Sequence, residues 1–511
     1  MATVENGLML SDYADYMIAS EESEPGVGWY YTNWLKKLEE NSSMPTLQIG
    51  KNIADDFVAA CKKTCPGQST TLSVVDLAEL KATAPDKLSS FATDTSKMIT
   101  ATAKAAKKEE SGTADYKAVA TARTKSREFA RGTGIDQVDL IHLAKNMDTK
   151  AGKALADSLL SAVKYNQTSS DMTNSFGLSI YFPYAQTRNV DTIAKVYDQI
   201  GMTDDYTRCI KQFAKMETGG QAAYGGSSAA SPMGSLFSLL GAGGSGSSAP
   251  SSSVSAGDVT DILGTLLGGR SIIDGLDESN TAYLEDQDLS DEAVGEFVEN
   301  NFFDETKLVW AEDGDSYKMH LEDDQWALVT DLELNLYIDD GEGFVEMGFD
   351  NVFDVTDDGD LIGDFDGTWI AVDGQEVPYY YEGTVGSKDD YTIRGHIPVL
   401  LNGQRANLIV VFTADEPDGK IEGAQFVYSE EETEVIAKNV TELQKGDQID
   451  FIADYYTYDG EYQDSYLIGD QLVVGDEAPE ISNVELSDDA WAMYRFTDIY
   501  HQAHFSEVIP Q

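Results

Sequence analysis

The sequence has little positive charge, few cysteines and no long hydrophobic run. It contains 35 Lys and Arg against 90 Asp and Glu, which gives a net charge of −55. Binding to nucleic acid needs a cluster of basic side chains to neutralise phosphates, so this balance excludes a nucleic-acid partner. Three cysteines are too few for a disulfide framework. No apolar stretch reaches the roughly 18 residues of a transmembrane helix, so no membrane span is predicted.

The chain also lacks the opening of a secreted protein, because no basic segment precedes an apolar one and hence no signal peptide is visible. Met1, Val4 and Leu8 already lie on one helical stripe. Nothing stands ahead of this stripe to cap the first helical turn. The start is therefore either a frayed terminus or the continuation of a preceding segment, and these residues alone leave both interpretations open.

Three blocks differ in composition, and the acidic residues are concentrated in the last of them. Residues 281–511 hold 57 of the acidic residues and 9 of the basic ones. Repulsion at this charge density keeps a domain soluble and favours screening by salt or divalent cations. We divide the chain into domains at 1–216, 217–270 and 271–511.

Residues 1–216 alternate helix and strand patterns. Runs such as "TTLSVVDL" and "GLSIYFP" have the length and the β-branched residues of strands. Amphipathic stretches such as "LQIGKNIADDFVAACKKTC" lie between them and repeat apolar residues every three or four positions. Strands separated by helices predict an α/β domain.

The other two blocks have simpler patterns. Residues 217–270 are rich in Gly, Ser and Ala, which predicts a flexible linker. In residues 271–511, alternating apolar and polar positions predict strands, and "DDG", "VDG" and "PDG" predict hairpin turns between them. We interpret 271–511 as a mostly antiparallel β domain, or as two small ones, in which the helix "SDEAVGEFVENNF" precedes the strands.

The chain lacks the common catalytic motifs. It has no Gly-x-Ser-x-Gly elbow, phosphate-binding loop or His-Glu-x-x-His helix. Cys61 and Cys65 lie near the end of one predicted helix, where the negative end of the helix dipole disfavours a reactive thiolate. Cys209 and His142 fall in helical patterns that are typical of packing. We therefore predict no catalytic residue and no metal site, with a metal pair at Cys61 and Cys65 as the alternative.

An acidic stretch, "DVTDDGDLIGDFDG" at 354–367, resembles a calcium loop only superficially. It lacks the Asp-x-Asp-x-Asp-Gly order that ends in Glu at the twelfth position. Hairpin turns explain its Asp-Gly pairs more simply, so no cofactor is expected beyond loosely bound calcium.

Four motifs in the first block carry a family resemblance. They are "MATVEN", "ADYMIASEESEPGVGWYYTNWL", "DQVDLIHLAKN" and "NSFGLSIYFPY", which follow one another over about residues 1–215. In this order they resemble the clostripain family of cysteine peptidases, which implies a caspase-like α/β fold. The final "YRFTDIYHQAHFSEVI" resembles the end of longer family members more weakly.

The resemblance implies that the catalytic groups lie outside this chain. In the family the nucleophile stands in an Asp-Ala-Cys triplet just ahead of the helix that begins here, and the catalytic His lies further upstream in a His-Gly dipeptide. We therefore expect that both precede Met1, that the caspase-like sheet is incomplete, and that the truncated chain is inactive. The full-length parent is expected to cleave a protein or peptide substrate after Arg or Lys.

The resemblance also implies candidate substrate-binding residues. The string "SEESEPGVGWYY" corresponds to a loop beside the pocket that accepts the side chain before the cleaved bond. Glu21, Glu22 and Trp29 are the candidates for its wall. Tyr30 stands where we expect Asp in many relatives, which puts the strength of the basic-residue preference in doubt.

Two other functions remain open at this stage. The chain is alternatively a non-enzymatic surface protein whose acidic β domain binds a cation or glycan, or a pseudoenzyme that starts at Met1. The resemblance implies a secreted or cell-surface bacterial location for the full-length parent.

The segment 216–269 contains no Lys or Arg. Either the linker is adapted to coexist with a peptidase specific for basic residues, or Gly/Ser linkers simply lack charge. We expect a protease of broad specificity to cut full-length protein within 217–270, because exposed Gly/Ser segments are preferred sites of nicking. Trypsin should spare the segment, and Ser247→Arg should introduce a rapid tryptic cut there. Mass spectrometry of the fragments measures both results, and resistance of the Ser247→Arg protein to trypsin would contradict an exposed linker.

Overall fold

The computed structural model describes most of the chain in two units. The described residues are 1–26, 28–65, 68–105, 116–130, 134–224, 255–257, 259–260, 263, 275–277, 279–286, 288–314, 316–363, 365–387, 390–430, 433–436, 440–458, 462–487 and 489–509. The N-terminal unit lies within Met1–Gly226 and Val254–Phe302, and the C-terminal unit within Phe303–Gln511.

The N-terminal unit is a mixture of helices and short strands. Its helices are α1 (Val4–Leu10), α2 (Tyr31–Glu40), α3 (Thr46–Thr64), α4 (Leu77–Ala105), α5 (Tyr116–Thr124), α6 (Leu140–Asn146), α7 (Lys150–Ala162), α8 (Val190–Ile200), α9 (Asp204–Ala223) and α10 (Asp291–Asn300). Its strands are β1 (Tyr16–Ala19), β2 (Thr71–Asp76), β3 (Glu128–Phe129), β4 (Gln137–Asp139), β5 (Val163–Thr168) and β6 (Ser179–Tyr181).

The strands of this unit form two three-stranded sheets. One has the order β1-β2-β5 and the other β3-β4-β6, with antiparallel neighbours in both. The extended residues ahead of α1 lie between them. The N–H of Ala2 donates to the carbonyl of Ser20 (2.6 Å), and the Ala2 carbonyl accepts from the N–H of Ser179 (2.9 Å). The first residues therefore connect the two sheets, because backbone groups buried at this position must find partners.

Helix α3 shows how the apolar pattern builds the core. Its positions Ile53, Phe57 and Cys61 are four residues apart, so they share one face and are buried. This face packs against Leu72 of β2, and Trp29 and Trp34 cover it from the chain between β1 and α3.

Helix α5 is attached to the strands through a buried guanidinium. Arg123 pairs with Glu128 of β3 at 3.0 Å, and its Nε donates to the carbonyl of Phe182 at 3.0 Å. Desolvation disfavours a buried charge, but the carboxylates of Glu128 and Asp136 hold the pKa of Arg123 above its ordinary value. The charge is therefore paired, as a stable buried ion requires.

The C-terminal unit consists mainly of strands. They are β7 (Ala311–Asp313), β8 (Ser316–His320), β9 (Val329–Asp339), β10 (Gly343–Asp350), β11 (Asp354–Val355), β12 (Asp360–Gly363), β13 (Thr368–Val372), β14 (Gln375–Glu376), β15 (Tyr379–Ser387), β16 (Asp390–Leu401), β17 (Gln404–Thr413), β18 (Lys420–Glu430), β19 (Thr433–Ile436), β20 (Gln448–Thr457), β21 (Tyr462–Val473), β22 (Ile481–Glu485), β23 (Ala490–Asp498) and β24 (Ala503–Phe505). The short helix α11 (Asp323–Trp326) precedes β9.

The large sheet of the C-terminal unit follows the order β19-β18-β17-β16-β15-β10-β9-β23-β24, and β20 pairs with β10, β16 and β21. Most neighbours are antiparallel, whereas β10 and β15 pair in parallel. Gly348 lies at the bulge where β10 changes register, and a Cβ there would stand 1.9 Å from the carbonyl oxygen of Tyr379. Only glycine permits this close approach of two backbones.

These two units confirm the predicted α/β class for the N-terminal part and the β-rich class for the C-terminal part. Within the acidic stretch 354–367, β11 and β12 form a hairpin around Gly359, as the Asp-Gly pair predicts. Among the described helices, none combines the length and hydropathy needed to cross a bilayer. Within the described residues, no three His, Cys, Asp or Glu side chains gather in a way that could hold a metal ion.

The structure differs from the sequence interpretation at two domain boundaries. Residues 217–223 continue helix α9 and 217–222 are buried, although composition assigned them to the linker. Most of 217–270 lies outside the described residues. Helix α10, which the pattern assigned to the C-terminal domain, belongs to the N-terminal unit, where Lys215 of α9 pairs with its Asp291 at 2.8 Å. Composition missed the first because Gly and Ala in α9 are typical of a linker, while packing against α4 and α10 stabilises them as helix.

The C-terminal unit also contains a buried charged histidine. The imidazole of His504 is 1% exposed and lies between Glu305 (2.6 Å from Nδ1) and Asp498 (3.1 Å from Nε2). Burial alone would lower the pKa of His504, but hydrogen bonds to the two carboxylates raise it to about 9. The imidazolium therefore bridges the start and the end of this unit.

The stability of the C-terminal unit should fall as pH rises from about 6.5 to about 9. A histidine whose folded pKa exceeds its unfolded value stabilises the fold fully at low pH and loses this contribution as it deprotonates, here about 3 kcal/mol in order of magnitude. Urea unfolding of His504→Gln should show this loss at low pH and a flatter profile. His320→Gln, at a half-exposed histidine, is the matched control and should retain the wild-type slope. An unchanged slope in His504→Gln would contradict the assignment.

Candidate substrate-binding loop

The chain leaves β1 into a loop whose backbone is fixed by one buried hydroxyl. Thr71 Oγ1, at the start of β2, accepts from the backbone N–H of Glu21 (2.9 Å) and of Glu22 (3.1 Å). It also lies 2.9 Å from the hydroxyl of Ser20. The loop Ser20–Glu22 is therefore attached to β2 by side-chain bonds where the regular pairing of β1 ends.

Glu21 lies inside the protein. It is 0% exposed, and its Oε2 accepts from the backbone N–H of Gly177 at 2.9 Å. Gly177 has a φ of 106°, and a Cβ there would stand 2.9 Å from the Cβ of Ser73. The backbone reaches the Glu21 carboxyl because this position is glycine.

A second buried carboxyl stands beside Glu21. Asp139 ends β4 and caps helix α6, accepting from the N–H of His142 at 2.7 Å and from the N–H of Phe176 at 2.5 Å. It is 0% exposed, and burial raises its pKa to about 6. Burial raises the pKa of Glu21 well above its ordinary value, and the nearby charge of Asp139 adds to this effect.

Glu22 and Trp29 have different surroundings. Glu22 is half-buried; its Oε1 accepts from the N–H of Ser23 (2.6 Å) and its Oε2 from the N–H of Ala130 (3.2 Å). Trp29 packs on the core face of α3, while its indole N–H donates to Glu24 at 3.0 Å. Of the three sequence-predicted residues, Glu22 remains partly accessible to solvent and Glu21 is enclosed. Trp29 packs against helix α3 and binds Glu24 of the same segment.

The three thiols of the chain are all buried. Burial raises the pKa of Cys61 to about 12, with a further contribution from Cys65. Burial also raises the pKa of Cys209 to about 12. A nucleophilic cysteine needs a lowered pKa, so Cys61 and Cys209 are structural thiols.

The histidine nearest the loop is also a packing residue. Nδ1 of His142 accepts the N–H of Arg127 at 2.9 Å, and its ring lies against Phe176. Burial lowers the pKa of His142 to about 4, with Arg127 and Lys145 contributing, so the ring is neutral at pH 7. This agrees with its predicted place in the helix pattern.

Sequence reasoning missed Thr71, Asp139 and Gly177, which the fold brings to Glu21 from three separate segments. Asp139 carried a usable signal, because an Asp immediately before an apolar helical run predicts a helix cap. Thr71 carried none, since a threonine in a strand is ordinary.

The N-terminal part of the chain is similar to known proteins. Residues 1–225 match the family model described as the clostripain family of peptidases. A solved structure described as a B. fragilis cysteine protease is similar at 16% identity and a TM-score of 0.26, over 40% of this chain and 81% of that one. No curated protein matches the sequence.

Thr71→Val should destabilise the N-terminal unit by about 2 kcal/mol, because it leaves the buried N–H of Glu21 and the partly buried N–H of Glu22 without this acceptor. Thr71→Ser keeps the hydroxyl and should recover most of this loss. Urea unfolding followed by tryptophan fluorescence compares the two variants, and equal stabilities would show that the hydroxyl does not hold the loop.

Proposed function

We propose that this chain belongs to the clostripain family and is a portion of a cysteine endopeptidase that cleaves after Arg or Lys, because residues 1–225 match the family model. The family match over residues 1–225 is the observation that carries the proposal. In this proposal the catalytic Cys and His come from polypeptide outside residues 1–511, and the chain alone is inactive. The full-length parent acts on protein or peptide substrates as a secreted or cell-surface protein.

The geometry supports different roles for the two acidic residues of the loop Ser20–Glu22. A substrate Arg or Lys needs a carboxylate that it can reach and that stays ionised. Glu22 is the half-buried member of the pair, whereas Glu21 is enclosed and has a raised pKa. We assign Glu22 to the recognition of the basic side chain, and Glu21 and Trp29 to the support of the loop.

The protonation of Cys61 and Cys209 supports the proposal that the chain is inactive on its own. Peptide hydrolysis by a cysteine peptidase requires a thiolate beside a general base. The high pKa values of Cys61 and Cys209 keep both as thiols at neutral pH. Acyl transfer by these residues would therefore be negligible.

The acidic C-terminal unit supports a second candidate function. The low proportion of basic residues in 281–511 favours association with cations, loosely bound calcium among them. The alternative is a non-enzymatic surface protein in which this unit binds a cation or a glycan. Calorimetric titration of residues 1–511 with calcium and with glycans tests this alternative directly.

The peptidase proposal is tested with fluorogenic arginyl and lysyl peptides. We expect purified 1–511 to give no hydrolysis above the buffer rate, with or without calcium. A longer form that carries an Asp-Ala-Cys triplet and a His-Gly dipeptide in frame ahead of Met1 should hydrolyse them. In that form, Glu22→Gln should lower kcat/KM by about tenfold through the loss of one ionic contact, while Glu24→Gln is the matched control.

Two results would overturn the proposal. Hydrolysis by 1–511 that survives Cys61→Ala and Cys209→Ala would place the catalytic group elsewhere. A genome that encodes no such triplet in frame ahead of Met1 would favour the pseudoenzyme.

A further inference from the structure

We propose that Asp139 is a positioning residue for the loop Ser20–Glu22, and that it acts by sharing a proton with Glu21 that holds this loop against the turn Phe176–Gly177. The inference concerns the loop that the proposed function assigns to substrate binding, and its relevance to substrates rests on that function.

The two carboxyls meet through neighbouring backbone groups. Glu21 Oε2 accepts from the N–H of Gly177, and Asp139 Oδ2 accepts from the N–H of Phe176. Two consecutive amides of one turn thus bind two carboxyls that come from β1 and β4. The side chains are within hydrogen-bonding reach of each other, and both are 0% exposed.

The oxygen that lacks a hydrogen-bond partner indicates where the shared proton resides. Asp139 uses one oxygen for His142 N–H and the other for Phe176 N–H, whereas Oε1 of Glu21 is buried with no hydrogen-bond partner. An ionised carboxyl only accepts, so two ionised groups here would leave Oε1 orphaned beside a like charge. A proton on Oε1 removes the repulsion and lets Glu21 donate to Asp139, which resolves both problems.

The groups around Glu21 and Asp139 do not offset the negative charge of two ionised carboxyls, so the shared proton is the simplest compensation. From the same loop, Glu22 adds a further negative charge. From α6, His142 is neutral at pH 7, and Lys145 lies over the ring of Phe176, 3.5 Å from its centre. Arg127, beside β3, donates to the carbonyls of Asp171 and Thr173. From β2 the contacts are the neutral hydroxyls of Thr71 and Ser73.

Loss of the shared proton should therefore loosen the loop. Above the pH at which the pair becomes doubly ionised, Glu21 and Asp139 repel each other at low dielectric. The bond from Glu21 to Gly177 is then the contact most easily given up, because Asp139 is also held by its helix. Ser20–Glu22 would move while the core strands stay in place.

Hydrogen–deuterium exchange of the full chain tests this, with rates corrected for intrinsic exchange, from about pH 5 to about pH 9. We expect protection of segments containing residues 20–24 and 176–178 to fall at least tenfold over this range in the wild type. In Glu21→Gln the amide donates to Asp139 permanently and still accepts from Gly177, so protection should become independent of pH. Glu24→Gln, at a carboxylate that accepts from the indole N–H of Trp29, is the matched control and should keep the wild-type profile.

Each outcome decides the question. Protection that is lost equally at all pH values in Glu21→Gln would indicate packing alone and overturn the proposal. Wild-type protection that does not change with pH would overturn it as well, and this measurement suffices if the variant fails to fold. Because no substrate is used, failure of the peptidase assay would remove the link to substrate binding but leave the shared proton standing.

Discussion

The N-terminal unit depends on the placement of residues 2 and 3 between its two sheets. Ala2 uses its N–H on Ser20 and its carbonyl on Ser179, and Thr3 forms a parallel bridge with Ser179. These bonds bring the ends of β1 and β6 together, and the same short segment leads directly into α1. The loop Ser20–Glu22 and the turn Phe176–Gly177 lie at this junction. The backbone bonds of residues 2 and 3 therefore fix the positions of both segments.

The charges of buried ionisable groups are compensated in two different ways. In the C-terminal unit, His504 stands between two carboxylates and is stabilised as a cation. In the N-terminal unit, Arg123 is likewise paired with acids, whereas Glu21 and Asp139 face each other. A low-dielectric interior tolerates charge only when it is compensated. Arg123 and His504 are compensated by carboxylates, and the carboxyl pair by the proton that we propose.

Several elements were predictable from local patterns because local chemistry specifies them. The spacing of apolar residues in α3 and the β-branched runs of β2 and β6 identify these elements directly. The strand β5 was harder to predict, because "AVKY" continues the apolar pattern of α7. Only pairing with β2 makes Val163–Thr168 a strand. Helix α4 likewise begins at Leu77 and runs through Pro85, where a sequence rule predicts an interruption.

The sequence by itself determined the charge balance, the order of the α/β and β-rich parts, and the resemblance carried by the motifs of the first block. These follow from composition and short-range periodicity, which do not depend on distant partners. Only the tertiary structure decided that Glu21 is enclosed while Glu22 remains accessible, since both are acidic residues in one loop. The meeting of Glu21 with Asp139 was decided in the same way, because residues 118 positions apart come together only through the pairing of separate strands.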